Sequence, residues 1–350
     1  MTAGAPTGSR PAVHVVVLNR NGQAVNEACL QSLLRSDYPR LTVWVADNAS
    51  DDGSPEWIEQ HFPAARVVRT GGNLGWSGGN NVGIRRALAD GADYVWILNN
   101  DVEVAPDCIR LLIERAEGAD RPAIVGPLIY YFEPRDRVWF EGGEFNLSTL
   151  YAGHCTYERF QALPQSQRYV SGCALMVRRD VFERIGLIDE RFFIYYEDTD
   201  FCRRAALAGF RQEVERAAVM YHKVSAYSGG PSDQISPFAA YHVLRSGLLF
   251  WRRHLGLTAF HRRWCEGHLG KWVNQVPGWW EQAARRPAAE AIVDAVWYVL
   301  TCRRVPRSRP RSPAWFQRLM RTRPWVVADL MAWRWPGRRP AMIDDREKRS

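Results

Sequence analysis

The sequence lacks the cysteine spacing, the long apolar run and the leader segment that mark several large classes of protein. Its seven cysteines are odd in number and include no CxxC pair, so neither a zinc ribbon nor a disulfide scaffold is indicated. No apolar run reaches the roughly eighteen residues of a membrane-spanning helix. The first residues, MTAGAPTGSRPAV, contain no apolar core of a signal peptide. We therefore expect a protein of the reducing cytoplasm.

Two nucleotide-binding signatures are also missing. No GxGxxG turn follows the first apolar run, and GxxxxGK[ST] occurs nowhere in the chain. These absences make a dinucleotide-dependent dehydrogenase and a P-loop ATPase poor interpretations of the sequence.

Charge and tryptophan are unevenly distributed along the 350 residues. The net charge is +8, but residues 251–350 hold 21 Lys+Arg against 8 Asp+Glu and ten of the 15 tryptophans. The remainder is slightly acidic and rich in β-type runs. We expect one large domain at 12–250, a basic Trp-rich helical extension at 251–335, and flexible ends at 1–11 and 336–350.

Apolar strand-like runs alternate with helical patterns through the first half of the chain. This alternation predicts an α/β fold, with a mostly parallel central sheet flanked by helices. The predicted strands are Val13–Leu18, Leu41–Ala46, Arg66–Arg69, Tyr94–Leu98 and Gln212–Met220. The predicted helices are Ala24–Leu34, one capped by Ser54 with Pro55 at its first position, Asn80–Leu88, one beginning at Pro106, and Ala288–Leu300.

Polar clusters follow three of these strands, where ligands bind in such sheets. They are Asn19-Arg20-Asn21, Asp47-Asn48 and Asn99-Asn100-Asp101. Turn formation alone can explain the first cluster, because Asn and Gly are common in turns. Asp47 can accept the imide N–H of a pyrimidine base, and Asp101 suits a divalent metal ion bound through nucleotide phosphates.

The stretch from Gly71 to Asn81 is the most glycine-dense part of the chain. It is interpreted either as a flexible loop or as a set of backbone N–H donors for phosphate before a helix.

A second acidic cluster spans Tyr195 to Asp200, before an amphipathic helix that ends at Ala208-Gly209. Capping by Asp198 explains one of these carboxylates well but three of them poorly. The alternative is that one carboxylate is a general base at the rigid start of the helix. His222 follows a strand-like run and is either a structural side chain or a metal ligand.

The ordered constellation of these segments resembles glycosyltransferase family 2, the GT-A-fold and mostly inverting nucleotide-sugar transferases. The resemblance spans about residues 13–250 and is closest to the bacterial rhamnosyltransferase-like branch. It is carried by VVVLNRNG, VWVADNASDDGS, NLGWSGGNNVGIRRAL, YVWILNNDVEV, VSGCALMVRRDVFERIGLIDERFFIYYEDTDFCRRAALAGF and MYHKVSAYSGG.

The resemblance implies specific roles for the residues of these motifs. Asp198, in the Glu197-Asp198 pair, would be the catalytic base, and Asp101 with His222 would bind Mn²⁺ or Mg²⁺. Glu103 could assist the metal site. The nucleotide-sugar, with dTDP or UDP as its nucleotide, would contact Asn19, Arg20, Asp47, Asn73, Gly75, Asn80 and Asn99.

Acceptor identity stays open, because Arg203 stands where many members carry an aromatic residue and Ser246 where many carry Asn. The resemblance implies transfer of L-rhamnose from dTDP-rhamnose to a polysaccharide or lipid-linked glycan. Two alternatives remain: a non-catalytic nucleotide-sugar-binding protein and a metal-dependent nucleotidyltransferase. The oligomeric state is undetermined.

The basic C-terminal hundred residues allow three interpretations. They are a solvated tail, a nucleic-acid-binding segment, or an attachment to anionic lipid with Trp at the interface and Arg at the headgroups. Ten tryptophans argue against a solvated tail. We favour peripheral association with the inner face of the cell membrane over nucleic-acid binding.

Overall fold

The structure, a computed structural model, describes residues 10–224, 235–255, 275–301 and 311–322. Its strands are β1 (Val13–Asn19), β2 (Leu41–Asp47), β3 (Ala65–Arg69), β4 (Tyr94–Asn99), β5 (Val102–Val104), β6 (Ile124–Tyr131), β7 (Val138–Phe140), β8 (Gly143–Asn146), β9 (Tyr151–His154), β10 (Arg168–Tyr169), β11 (Ala174–Arg178) and β12 (Gln212–His222).

Helices alternate with the strands over most of this length, and a short 3-10 helix lies at Gln165–Gln167. The helices are α1 (Gln23–Leu34), α2 (Ser54–His61), α3 (Gly75–Ala89), α4 (Cys108–Ala116), α5 (Tyr157–Ala162), α6 (Arg179–Ile185), α7 (Glu197–Leu207), α8 (Pro237–Leu255), α9 (Val276–Glu281), α10 (Arg286–Thr301) and α11 (Ala314–Thr322).

One large sheet organises the first part of the chain, in the order β3-β2-β1-β4-β11-β6-β12-β5, with β7 paired to β6. The first four strands in this order pair in parallel, as do β6 and β12, whereas β11 runs antiparallel to both β4 and β6. The predicted α/β fold with a mostly parallel central sheet is therefore confirmed. A second sheet has the order β10-β8-β9.

The central strands are buried on both faces, which explains their apolar composition. Val13, Val15, Val16 and Val17 of β1 have no exposed surface, and β4 is buried from Tyr94 to Leu98. Strands covered by helices on both faces need such unbroken apolar runs because neither face meets water.

Strand direction gathers the polar clusters at one edge of the sheet. The carboxyl ends of β1, β2, β4 and β12 lie there, together with the amino end of the antiparallel strand β11. Val102 of β5 pairs with His222 of β12, so Asp101 stands beside the end of β12. Residues from distant parts of the sequence therefore meet at this edge.

Several helix boundaries differ from the predicted ones. The helix predicted from Asn80 begins at Gly75, inside the glycine-dense stretch, and the helix predicted from Pro106 begins at Cys108. Gly53, in the left-handed conformation, is the N-cap of α2, and Ser54 is the first helical residue. The Ser54 hydroxyl is hydrogen-bonded to Asn19 and Asp52 instead of capping the helix.

The chain divides into two compact units, one comprising 1–146 and 152–228 and the other 147–151 and 229–350. The domain boundary expected at residue 250 falls inside α8. Flexible ends were predicted at 1–11 and 336–350, and of these ranges 1–9 and 336–350 lie outside the described residues. Pro11, expected in the flexible N-terminus, accepts a hydrogen bond from the Tyr38 hydroxyl.

The second unit has a helical core of its own. The predicted helix at Ala288–Leu300 lies within α10, and its residues from Ala288 to Val296, except Glu290, are buried. Of the two roles expected for this helix, interfacial or packed, the structure shows the packed one. Ser312 donates from its amide and its hydroxyl to the buried Asp294 and so fixes the chain before α11. None of the helices in the described ranges is long and apolar enough to cross a membrane.

Candidate active site

A chain of amide hydrogen bonds joins three strand ends at the polar edge. Asn100 Nδ2 donates to Asn26 Oδ1 at 2.9 Å, and Asn26 Nδ2 donates to Asn19 Oδ1 at 2.8 Å. Asn19 Nδ2 in turn donates to Asp47, Ser50 and Ser54. Asn19 has no exposed surface and is held within this amide network, and its predicted place in the nucleoside pocket stays a prediction.

Gly22 is required where this amide chain crosses the start of α1. A Cβ at this position would lie 2.2 Å from Asn100 Nδ2 and 2.7 Å from Asn19 Oδ1. Both atoms belong to side chains held by hydrogen bonds, so neither can move aside cheaply. The glycine thus permits the close approach of β1, α1 and β4.

Asp47 and Arg20, predicted at the nucleoside pocket, lie at the end of β2 and in the turn after β1. Asp47 is buried, and its two oxygens accept from Asn19 Nδ2 and from the amide of Ser50. Arg20 donates from Nη1 to the carbonyls of Asn48 and Ala49. The arginine therefore fixes the turn that follows Asp47.

Asn48 attaches the glycine-dense segment to the end of β2. Its Oδ1 accepts from the Leu74 amide at 2.8 Å, and its Nδ2 donates to Asn73 Oδ1 and to the Gly75 carbonyl, both at 3.1 Å. The amide of Gly75 donates to Asn73 Oδ1 as well. The N–H groups of Leu74 and Gly75 are therefore already used within the protein, and the role of this segment as a set of amide donors for phosphate stays a prediction.

The glycines of α3 serve close packing instead. A Cβ at Gly79 would lie 2.5 Å from Leu18 Cδ1, and one at Gly75, where φ is +73°, would lie 2.5 Å from the ring of Phe193. Asn80, predicted near the ribose or diphosphate, has no exposed surface and donates to the carbonyl of Trp76. Its Nδ2 supports the first turn of the helix, whereas its Oδ1 has no hydrogen-bond partner, and its predicted contact with the donor stays a prediction.

Asp101 and His222 meet at the junction of β5 and β12. Their Oδ1 and Nε2 atoms are 3.2 Å apart, both residues are about 6 % exposed, and the Lys223 amide donates to the Asp101 carbonyl. Nδ1 of His222 is buried without a hydrogen-bond partner. Nε2 is the nitrogen that faces the carboxylate, and this buried carboxylate–imidazole pair fits part of the coordination shell of Mn²⁺ or Mg²⁺, with phosphate and water oxygens supplying the remainder.

The described residues contain no group of three or more His, Cys, Asp or Glu side chains arranged to hold a metal ion. Glu103, expected as a possible helper, is bound bidentately by Arg135, at 2.9 and 3.3 Å. The metal site expected at this edge is thus reduced to two protein ligands. A divalent ion there would depend on the phosphates of a bound nucleotide.

Asp198 is fixed at the first turn of α7 by three hydrogen bonds. Its Oδ2 accepts from the Gly172 amide at 2.9 Å, and its Oδ1 accepts from the amide and the hydroxyl of Thr199. Burial raises the pKa of Asp198 above its ordinary value, although these hydrogen bonds oppose the shift. A carboxylate with a raised pKa and a fixed position suits a general base.

Glu197 precedes Asp198 and is more deeply buried. One of its carboxylate oxygens, Oε2, has no hydrogen-bond partner. Burial, reinforced by the charge of Asp198, raises the pKa of Glu197 well above its ordinary value. Glu197 is therefore the member of the pair that favours the protonated form, and it leaves the negative charge to Asp198.

The backbone before α7 is strained. Phe193, Tyr195 and Tyr196 all have φ between +62° and +67°, a region that side chains other than glycine rarely adopt. Each such residue costs about 1 kcal/mol or more, and strain of this kind is concentrated at functional sites. The turn directs the first residues of α7 toward the polar edge.

An aromatic pair lies on the other side of His222. The Trp139 ring meets the His222 ring edge-on, with 4.4 Å between centroids, and the His154 ring at 4.8 Å. Nδ1 of His154 donates to the Trp139 carbonyl, since a carbonyl only accepts. Burial lowers the pKa of His154, and the charge of Asp198 opposes that shift, so His154 lies in the electrostatic field of the base.

The structure thus brings most predicted site residues to one edge of the sheet but reassigns some of them. Asn73 and Gly75 form the attachment of α3, and Asn99 accepts a hydrogen bond from Trp76 Nε1 at 3.0 Å. Arg203, expected on the acceptor side, lies over the Phe145 ring and donates to the Ser166 carbonyl. Six residues at this edge were not predicted from the sequence. Three lie within the quoted motifs, namely Asn48, Trp76 and Gly172, and three lie outside them, namely Asn26, Trp139 and His154.

Comparison with protein families gives a match over residues 12–186, half of the chain, to the model described as glycosyl transferase family 2. Among curated proteins, the N-acetylglucosaminyl-diphospho-decaprenol L-rhamnosyltransferase of Mycobacterium tuberculosis is 32 % identical over 263 residues, covering 68 % of this chain and 83 % of that protein. The dTDP-rhamnosyl transferase RfbF of Shigella flexneri is 26 % identical over 251 residues, covering 69 % and 80 %.

Two solved structures share the fold at low sequence identity. The mannosyltransferase PcManGT from Pyrobaculum calidifontis, in complex with GDP-Man and Mn²⁺, matches with a TM-score of 0.52 and 17 % identity over 93 % of this chain and 88 % of that one. Residues 1–349 of S. aureus TarS, in complex with UDP-GlcNAc, match with a TM-score of 0.53 and 17 % identity over 92 % and 91 %. The fold is that of the GT-A glycosyltransferases.

Proposed function

The chain belongs to glycosyl transferase family 2, and from that premise we propose that it transfers L-rhamnose from dTDP-rhamnose to a hydroxyl of a lipid-linked glycan, with inversion at the anomeric carbon. That it is a glycosyltransferase follows from its family. The observation that carries the proposal is the fixed position of Asp198 at the sheet edge that also holds Asp101 and His222. The donor and acceptor classes are those named for its rhamnosyltransferase relatives.

Asp198 would act on the acceptor. A sugar hydroxyl is a poor nucleophile at neutral pH, and removal of its proton during attack is the work of a general base. Gly172 and Thr199 keep the carboxylate oriented, so the acceptor oxygen can approach the anomeric carbon from the face opposite the diphosphate. A single displacement of this kind inverts that carbon.

The departing nucleoside diphosphate gains negative charge as the glycosidic bond breaks. Asp101 and His222 are the residues that would hold a divalent ion, and such an ion supplies positive charge to a phosphate leaving group. The supporting observation is the buried pair formed by the Asp101 carboxylate and Nε2 of His222.

The test is release of nucleoside diphosphate from dTDP-, UDP- and GDP-sugars in the presence of Mn²⁺, Mg²⁺ or EDTA. Slow release of dTDP from dTDP-L-rhamnose, and transfer once a lipid-linked glycan is added, would support the proposal. Binding without release or transfer would favour a non-catalytic binder. Release of pyrophosphate instead of a nucleoside diphosphate would favour a nucleotidyltransferase.

We also propose that the basic C-terminal part associates with the surface of an anionic membrane. On α11, Trp315 is 59 % exposed, and the exposed side chains of Arg318 and Arg321 lie one and two turns further along. Trp and Arg together suit the headgroup region of such a membrane.

Flotation with phosphatidylglycerol vesicles at low and high salt tests this association. We expect flotation at low salt, less at high salt, and less for Trp315→Ala than for the unchanged chain. Absence of flotation at low salt would overturn the proposal, and binding to DNA alone would favour the nucleic-acid alternative.

A further inference from the structure

We propose that the indole of Trp76 is the platform on which the donor sugar lies, and that it selects a sugar with an apolar face, such as a 6-deoxyhexose. This inference rests on the proposed transfer from a nucleotide-sugar. It adds a specificity-determining side chain that none of the sequence motifs had suggested.

The nitrogen of the indole is fixed on the donor side of the site. Trp76 Nε1 donates to Asn99 Oδ1 at 3.0 Å. Asn99 is the last residue of β4, two positions before Asp101. The hydrogen bond therefore fixes one end of the ring beside the metal-binding pair.

The six-membered ring of the indole and the base both lie next to Gly172. A Cβ placed on Gly172 would lie 2.9 Å from Cζ2 and 3.0 Å from Cη2 of Trp76, and 3.3 Å from Cβ of Asp198. The ring and the base thus converge on the same point above Gly172, whose amide also holds the Asp198 carboxylate. One edge of the indole spans the distance between the residue that ends β4 and the general base.

The backbone of Trp76 is held in the first turn of α3, and its side chain is partly exposed. Asn80 Nδ2 donates to the Trp76 carbonyl at 2.9 Å, and the Phe193 ring packs on Gly75 next to it. Trp76 nevertheless keeps an intermediate exposure, whereas Trp96 of β4 has none. A rigid, half-exposed aromatic face among polar and charged groups is a surface on which an apolar ligand face binds.

The position also explains the expected selectivity. A sugar whose anomeric carbon lies between the diphosphate and Asp198 must rest over the ring that joins them. The C–H groups and the methyl of a 6-deoxyhexose would lose contact with water against the indole. A hydroxyl at the same carbon would lose its hydrogen bonds there, and that is costly.

The experiment compares binding of dTDP with binding of dTDP-L-rhamnose by isothermal titration in Mn²⁺. For the unchanged chain we expect the sugar to increase affinity by about tenfold, the effect of one good stacking contact. Trp76→Ala should bind dTDP as before and lose this increase, whereas Trp76→Phe should keep part of it. Trp44→Phe is the matched control. Trp44 lies in the middle of β2, and its replacement removes the indole that donates to His14 of β1, so neither affinity should change.

The outcomes separate this inference from the proposed function. No binding of either compound to the unchanged chain would overturn both. Equal affinities for dTDP and dTDP-L-rhamnose in the unchanged chain, or a sugar increase that survives in Trp76→Ala, would overturn the platform and leave the proposed transfer standing. Equal loss of both affinities in Trp76→Ala, with Trp76→Phe normal for both, would make Trp76 a support of α3 and would also overturn the platform.

Discussion

Nε2 of His222 lies 3.2 Å from Oδ1 of Asp101, although the two residues are far apart in the sequence. Sheet register explains the contact, because His222 pairs with Val102 and Asp101 directly precedes that residue. Two ligand-type side chains are therefore paired by the backbone of β5 and β12. Their separation does not depend on loop conformation.

Replacing either member of this pair should remove metal-dependent donor binding. We expect Asp101→Ala and His222→Ala to weaken dTDP binding in Mn²⁺ by more than about tenfold, with little change in EDTA. Calorimetry in the two buffers measures this. Glu103→Gln, which breaks only the ion pair with Arg135, is the control and should behave like the unchanged chain. Unchanged Mn²⁺ dependence in Asp101→Ala would contradict the assignment.

Asp198→Asn should abolish transfer and leave nucleotide binding nearly intact. The amide keeps the size of the carboxylate but cannot take a proton, and loss of a general base costs about 10²- to 10⁴-fold in rate. Initial rates of transfer and the dissociation constant of dTDP are the two measurements. A loss of dTDP affinity as large as the loss of rate would show that Asp198 holds the nucleotide instead.

Gly172→Ala should slow transfer without unfolding the protein. The added methyl would collide with the Trp76 ring at 2.9 Å and with Asp198 at 3.3 Å, so ring and base must separate. We expect kcat to fall more than about tenfold, since small misplacements of reacting groups are costly. Gly72→Ala is the control, because nothing lies within 4 Å of its added methyl. Normal kcat in Gly172→Ala would argue against roles for the Trp76 ring and Asp198, next to Gly172, in transfer.

Asn26→Ala should destabilise the protein. It removes two side-chain hydrogen bonds, so Asn19 Oδ1 loses its donor and Asn100 Nδ2 loses its acceptor. The expected loss in free energy of unfolding is about 2 kcal/mol, in the range measured for buried groups that lose their partners. Urea unfolding measures it, with Glu27→Ala on the exposed face of α1 as the control. A change below about 0.5 kcal/mol, the usual size for surface substitutions, would contradict the structural role of this amide chain.

Stability should fall with rising pH through ionisation of Glu197. Its pKa is raised in the folded chain, so the folded state holds a proton that the unfolded chain releases near the ordinary value of 4.5. Unfolding then releases a proton, and rising pH favours the unfolded state until the folded pKa is passed. Urea unfolding across this range should show a flatter pH dependence for Glu197→Gln. Identical pH dependence of the two proteins would show that Glu197 ionises normally.

The sequence was sufficient to predict the parallel strands and the polar clusters at their ends, because unbroken apolar runs and strand-end Asn and Asp residues are local features. It also predicted Asp101, His222 and Asp198 at a common edge through the resemblance. The function of Asn26 was not predictable, because its partners Asn19 and Asn100 become visible only when the fold brings α1 next to the ends of β1 and β4. The start of α3 was missed for a similar reason: Gly75, Gly78 and Gly79 are unfavourable in an isolated helix and are explained only by what packs on them.

The antiparallel direction of β11 was also beyond the sequence. Its apolar run resembles that of a parallel strand, yet its reversal brings Gly172, which precedes the strand, to the edge where the other strands end. Without that reversal, the amide that holds Asp198 would lie at the opposite end of the sheet. The role of Gly172, a residue of a quoted motif, therefore follows from the direction of β11 and not from the motif itself.

The amide chain beneath the pocket has a consequence for how this enzyme responds to acidity. Asn100, Asn26 and Asn19 carry no proton that comes or goes across the range in which proteins are studied. The ends of β1 and β4, which they join through α1, therefore keep their spacing while the carboxylates and imidazoles above them titrate. A kinetic pH profile of this protein should then record the chemistry of its acids and bases, because the link between these two strand ends holds no titrating group.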